Sequence, residues 1–256
     1  MEQALSVAKR AAREAGKIQE DYRSRGFTVG KKGETDLVTE ADLACEEAII
    51  RVIRETYPDH DTLAEEKGGS GASSPFRWLI DPLDGTTNFA HGFPVYCASV
   101  ALTYGGEPLA GAVFDPTRNE MFYAAEGRGA YLNGDIIKVS ATNDLISSLL
   151  ATGFPYEIRA VEQNNIKHFT NFAMLSQAVR RPGAAAIDLC YVACGRLDGF
   201  WEFHLKPWDM GAGALIVAEA GGKLSASDGT KLDLYRADIV ASNGHIHKAM
   251  LDTLAM

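Results

Sequence analysis

The hydrophobic period of this chain changes near residue 61, and that single change limits the folds open to it. Before it, apolar residues recur at spacings of three and four, the period of a helix with one buried face. Leu5, Ala8, Ala12, Ala15, Ile18 and Tyr22 make the first such face, and Gly26 ends it. Gly30 and Gly33 suggest a short hairpin. A second helix is expected from Thr39, where Thr39 and Asp42 have capping-box spacing with Asp in place of the usual Glu or Gln. Its apolar face reads Leu43, Ala44, Ala48, Ile49, Val52 and Ile53, and Pro58 closes it. The two helices are expected to pack as one layer.

Beyond residue 61 the pattern becomes short apolar runs between turns. Thr62 to Ala64, Arg77 to Ile80, Val95 to Thr103, Leu109 to Phe114 and Glu120 to Ala125 read as strands of an antiparallel sheet. Gly68 to Ser74 reads as a mobile loop. After about residue 145 strands and helices alternate. Leu149 to Thr152, Ala178 to Arg180, Gly199 to Phe203 and Ile239 to Ala241 are strands. Glu162 to Leu175, Ala184 to Cys194, Asp209 to Ala220 and a segment after Asn243 are helices. The expected class is α+β, with an α+β half over 1–145 and an α/β half over 146–256.

Composition sets the chemical setting. Hydrophobic residues are 46% of 256, enough for a large core without disulfides or structural metal. Asp plus Glu exceed Lys plus Arg by nine, which argues against nucleic-acid binding through the bulk field. A local cation can still reverse that sign for an anionic ligand. Cys45, Cys97, Cys190 and Cys194 include no CxxC pair, and the helical-turn spacing of the last two reads as packing. The first residues lack a signal-peptide core, and no apolar run is long enough for a bilayer. A cytoplasmic chain with no membrane partner is expected.

The chemistry concentrates in Asp81-Pro82-Leu83-Asp84-Gly85-Thr86-Thr87-Asn88-Phe89. The apolar run Trp78-Leu79-Ile80 drives a buried strand, so Asp81 emerges at its end. Pro82 fixes the turn, and Asp84 follows three residues later. Two carboxylates on one rigid turn suit a hard cation. Gly85 permits close approach of backbone to a ligand, and Thr86-Thr87 open a helix whose free N–H groups favour phosphate. Each part also has a plain structural reading: a capped turn here, a solvated Glu65-Glu66 pair, an N-cap at Asp209. Their combination decides between the readings. Carboxylates from Glu65, Asp81, Asp84 and Asp209, gathered at about 4 Å with an effective dielectric of ~20, repel by roughly 4 kcal/mol per pair. Divalent cations relieve that repulsion, and an all-oxygen donor set suits Mg²⁺ over zinc.

Glu65-Glu66, the Asp81–Phe89 stretch, and Trp208-Asp209 with Gly211, Ala212 and Gly213 together resemble the inositol monophosphatase family. That family is part of a Mg²⁺-dependent, lithium-sensitive sugar phosphatase superfamily. The resemblance extends to Asp36 through Asp42, Arg180 through Ala186, and Glu202. It implies a layered αβαβα sandwich. It also implies two or three Mg²⁺ ions: Glu65, Asp81 and the Leu83 carbonyl at one, Asp81, Asp84 and Asp209 at another, and a weaker one near Glu65. Gly85 and Thr86 N–H groups would bind the phosphate. Thr86, backed by Asp42 and with Glu65 close by, would orient the attacking water. Asp84, Ala185, Glu202 and Asp209 match positions that contact polyol hydroxyls. Lys31 resembles a family lysine near the metals, while Ala184 stands where Ser or Thr is common.

The implied activity is hydrolysis of inositol 1-phosphate or a related polyol or sugar monoester by a usually homodimeric enzyme. Fructose-1,6-bisphosphate, histidinol phosphate and 3′-phosphoadenosine 5′-phosphate are alternative substrates within the superfamily. A non-catalytic interaction scaffold is the alternative outside it.

Overall fold

The computed structural model describes residues 1–256. It opens with helix α1 (Glu2–Arg25), the hairpin β1 (Val29–Lys31) and β2 (Leu37–Thr39), and helix α2 (Glu40–Arg54). Then come β3 (Asp61–Ala64), β4 (Gly68–Gly69), β5 (Phe76–Asp84) and the short α3 (Thr86–His91). Strands β6 (Cys97–Tyr104), β7 (Glu107–Asp115), β8 (Glu120–Ala125), β9 (Ala130–Leu132) and β10 (Asp135–Ile136) complete the first sheet. The remainder runs β11 (Leu149–Thr152), α4 (Ile166–Leu175), β12 (Ala178–Arg180), α5 (Ala185–Ala193) and β13 (Gly199–Phe203). It closes with α6 (Pro207–Glu219), β14 (Lys223–Ser225), β15 (Asp238–Ser242) and α7 (His247–Leu254).

These elements stack in five layers. Helices α1 and α2 pair and cover one face of an eight-stranded sheet ordered β10-β9-β8-β7-β6-β5-β3-β4. Helices α5 and α6 fill the space between that sheet and a five-stranded sheet ordered β12-β11-β13-β15-β14. Helices α4 and α7 close the far side, where Phe172, Trp201, Val240 and Met250 form their own apolar cluster. The fold is the α+β layered sandwich expected from the sequence.

Local chemistry explains the elements. Helix α1 buries a stripe of small residues, Ala4, Ala8, Ala11, Ala12 and Ala15 with Val7, so it lies close to β6 and β7. Helix α2 starts on the expected box: Thr39 Oγ1 accepts from the Ala41 N–H at 3.2 Å, and the Thr39 N–H donates to Asp42 Oδ2 at 2.7 Å. That cap sets the phase of the helix. The buried face is Ala41, Cys45, Ala48, Ile49, Val52 and Ile53, whereas Leu43 is 49% exposed. The sequence placed Leu43 on the wrong side because Leu43 and Ala44 fit an apolar stripe begun two residues late.

Three other expectations are corrected. The first sheet is mixed, since β3 pairs with β5 in parallel. Gly68 and Gly69 are strand, paired with Ala64 and Leu63, and so do not belong to a loop. Helix α4 starts at Ile166, four residues later than Glu162. Asn165 takes a left-handed φ of 69° there. Its buried amide donates to Thr152 Oγ1 at 2.7 Å and the Gly153 carbonyl at 2.6 Å, and accepts from Trp201 Nε1 at 2.7 Å. Long-range bonds fix where that helix begins, and local propensity does not report them.

At the start of α7, His247 is 1% exposed between two serines. Ser225 Oγ, which donates to the Ala226 carbonyl, lies 2.9 Å from His247 Nε2; Ser242 Oγ, which accepts from the Gly244 N–H, lies 2.9 Å from Nδ1. This network fits a neutral ring with its proton on Nε2. Burial, with Lys223 nearby, lowers its pKa from 6.5 to about 4. Between those values the unfolded chain holds the extra proton and the folded chain does not, so acid favours unfolding. Stability should fall by up to about 3 kcal/mol from this group as pH drops from about 6.5 to about 4. Urea unfolding across that range should show the slope, and His247→Gln should flatten it.

Candidate active site

The site is built where β5 ends. Trp78, Leu79 and Ile80 are buried and carry Asp81 into the interior. The β5–β6 register runs to Asp81 opposite Ser99 and resumes at Asp84 opposite Cys97. Pro82 and Leu83 therefore bulge, and bulges re-aim side chains. Asp81 Oδ1 accepts from the Leu83 N–H at 3.0 Å. Gly85 follows with φ 90°, and a Cβ there would lie 2.8 Å from the Val95 carbonyl oxygen. Helix α3 then begins at Thr86.

Thr86 joins two elements. Its Oγ1 lies 3.0 Å from Asp42 Oδ1 and 2.9 Å from the Leu83 carbonyl oxygen. One hydroxyl proton serves one of these acceptors at a time. Asp42 Oδ2 accepts from both the N–H and the Oγ1 of Thr39, at 2.7 and 2.6 Å. The Asp42 carboxylate that closes the α2 capping box with Thr39 thus also meets Thr86.

The other carboxylates arrive on helix starts and strand ends. Asp84 Oδ2 accepts from the Ala186 N–H at 2.7 Å, next to Ala185 at the start of α5. Asp209 Oδ2 accepts from the Lys206 N–H at 2.7 Å, in the first turn of α6 after Pro207. Glu65 follows β3, its N–H donating to the Ile80 carbonyl at 3.1 Å. Glu202 projects from β13, and its carboxylate lies against Gly153, where a Cβ would overlap it. Lys32 Nζ sits 2.8 Å from Glu65 Oε1 and 2.6 Å from Glu66 Oε1. Lys31 is exposed, so the lysine facing this cluster is the next one along.

These acids feel one another. Burial, then Glu65, Asp84 and Asp209, push Asp81 well above the carboxylate range. Burial, with Asp84, Glu65 and Glu202, raises Asp209. Burial lifts Asp84 to about 7 against the Ala186 N–H, and Glu202 to about 8 against Arg181. Glu65 and Asp42 rise mainly through burial. Yet no three His, Cys, Asp or Glu side chains form a closed cation cage. Lys32 holds Glu65, and backbone N–H groups hold one oxygen each of Asp81, Asp84 and Asp209, which leaves each aspartate a second oxygen free of these bonds. The cluster is oxygen-only, mutually repelling and faced by one ammonium, a donor set that fits hard divalent cations.

Two side-chain amides hold the cluster in place: Gln19, which lies in no motif, and Asn88, which lies inside the Asp81–Phe89 motif without an expected role. Gln19, buried on α1, donates to the Pro82 carbonyl at 2.8 Å and the Cys97 carbonyl at 3.3 Å. Asn88 donates to the Val95 carbonyl at 2.7 Å and the Pro182 carbonyl at 2.8 Å. Asn88 therefore ties the Asp81–Phe89 stretch to the Arg180–Ala186 stretch. A glutamine on the small-residue face of an amphipathic helix was the one available signal for Gln19.

Buried acids thus gather where strands end and helices start in a five-layer sandwich, a setting suited to metal-assisted chemistry on an anionic substrate. Residues 1–255 match the model of the inositol monophosphatase family. The chain is 49% identical to an inositol-1-monophosphatase of Synechocystis over 94% of its own length and 82% of that protein. It is 44% identical to the Nus factor SuhB of Pseudomonas aeruginosa over 99% of its length and 96% of that protein. An inositol monophosphatase structure from Anabaena superposes with a TM-score of 0.91 at 41% identity, covering 99% of this chain and 96% of that one. The chain belongs to the inositol monophosphatase family.

Gly85→Ala should lower stability by roughly 1–3 kcal/mol, because it combines a positive φ with a blocked Cβ position. Thermal unfolding measures it, and an unchanged midpoint would remove the constraint argued for this turn.

Proposed function

We propose that this phosphatase is Mg²⁺-dependent and hydrolyses inositol 1-phosphate or a related polyol phosphate. The contact from Thr86 Oγ1 to Asp42 Oδ1, set beside Asp81, Asp84 and Asp209, carries this reading. Glu65, Asp81, Asp84, Asp209 and the Leu83 carbonyl would hold the ions, which supply charge neutralisation and a more acidic water.

Every other part of the chemistry falls to the chain. The Gly85 and Thr86 N–H groups, at a helix start without helical carbonyl partners, bind phosphate oxygens. Thr86 donates its proton to Asp42 and so turns its lone pairs toward the attacking water. Asp42 is held rigid by Thr39 and cannot rotate away. The water oxygen forms a bond to phosphorus and gives up one proton toward the Thr86–Asp42 pair, with Glu65 close by. The ester P–O bond breaks on the opposite side, and the leaving polyol oxygen takes one proton, so the step gains and loses none. The products are the polyol and inorganic phosphate. Ala185, Glu202, Asp84 and Asp209 line the side from which polyol hydroxyls are read. Most of the rate comes from positioning and preorganised charge.

The same reading includes sensitivity to lithium, a homodimer and a cytoplasmic setting; no helix is long and apolar enough to cross a membrane. Similarity to proteins named Nus factor SuhB favours a second, non-catalytic role alongside catalysis. Variants that lose phosphatase activity would separate the two.

Phosphate release from inositol 1-phosphate with and without Mg²⁺ is the direct test, with the alternative superfamily substrates run beside it. Asp81→Asn should lower kcat by at least about a thousandfold with folding preserved. Thr86→Ala should lower kcat about a hundredfold or more while Mg²⁺ affinity changes little. Full turnover in Asp81→Asn at saturating Mg²⁺ would refute the assignment.

A further inference from the structure

The Glu65 segment is held from two sides. On one side the β3–β5 ladder ends with the Glu65 N–H on the Ile80 carbonyl. On the other, Glu46 Oε2 accepts from the Glu66 N–H at 2.8 Å and the Lys67 N–H at 3.4 Å. Glu46 is fully buried on α2, one helical turn after Asp42. Residues four apart share a helix face, so one face of α2 presents Asp42 to Thr86 and Glu46 to the turn after Glu65.

The geometry points to Glu46 as a positioning residue: it fixes the backbone after Glu65 so that the Glu65 carboxylate stays directed into the cleft. A strand that has left its sheet has unpaired N–H groups, and buried ones need an acceptor. Glu46 supplies it with one oxygen, while its Oε1 has no partner in the chain. An orphaned buried carboxylate oxygen costs stability, so stability alone does not account for the residue. Lys32 pulls on both Glu65 and Glu66 from the exposed β1–β2 hairpin. The Glu46 carboxylate opposes that pull at the Glu66 N–H, inside the turn that the β3–β4 pairing closes.

This inference rests on the reading of Glu65 as a cation ligand, and the test separates the two. Glu46→Gln keeps the reach of the acceptor and removes the charge. Glu46→Asp keeps the charge and withdraws the acceptor by one methylene. Mn²⁺ binding by the full chain is measured by calorimetry, with amide exchange at Glu66 and Lys67 followed in parallel. Glu46→Gln should bind Mn²⁺ within about threefold of the parent. Glu46→Asp should lose about tenfold or more, as supporting residues of metal sites do, and should lose exchange protection at both amides whether or not a cation is present. Parent-like affinity and protection in Glu46→Asp would overturn the inference, as would an equal loss in Glu46→Gln. A parent chain that binds no Mn²⁺ would sink the cation reading instead, and the two amides would still decide the role of Glu46.

Discussion

The structure depends on a cluster of buried carboxylates held by backbone N–H groups. Asp81, Asp84 and Asp209 each accept one such bond, from Leu83, Ala186 and Lys206. Two of these donors lie at or just before helix starts, where N–H groups are unpaired and the helix dipole favours negative charge. The bonds offset part of the desolvation that burial imposes. They leave the mutual repulsion in place, which is why burial and neighbouring acids together raise these groups. The middle helical layer is thus an electrostatic support as well as a packing layer.

Close packing brings those helix starts to the strand ends. A Cβ on Gly211 would come within 2.7 Å of Leu79 Cδ1, and one on Gly213 within 2.6 Å of Leu189 Cδ1. A Cβ on Gly111 of the sheet would meet Ala212 Cα at 3.0 Å. Helix α6 therefore lies against β5–β8 on one side and α5 on the other at a distance only small residues allow. Larger side chains at these positions would push α6 outward, and Asp209 with it. The Gly211-Ala212-Gly213 run after Asp209 sets where that carboxylate sits.

Much of this was legible in the sequence, for physical reasons. Burial of Trp78-Leu79-Ile80 forces Asp81 to a strand end, and the Thr39–Asp42 spacing specifies a cap. Both effects are local, so spacing alone reveals them. The parallel β3–β5 pairing, the late start of α4 at Asn165 and the choice of Lys32 over Lys31 depend on distant partners. The β9–β10 hairpin carries a local signal of its own: Asn133-Gly134, both at positive φ, is a strong hairpin pair. Gln19 and Glu46 sit at helical positions that bury, and their partners lie 63 and 20 residues away.

The site draws on both sheets and on α1, α2, α3, α5 and α6, and this spread has a consequence for how it holds charge. A set of acids on one loop would relax apart under its own repulsion. Here each acid is fixed by an element whose place is set by apolar packing elsewhere: α2 by Ile49 and Ile53, α6 by Met210 and Ile216. Moving one of these carboxylates means moving a helix or a strand against its core. The hydrophobic layers therefore supply the work that keeps like charges together, and the cleft keeps its negative potential without collapsing. The Glu65 arm, at the edge near the exposed hairpin, lies past the end of β3 and is held by the side chain of Glu46 from α2 and by Lys32.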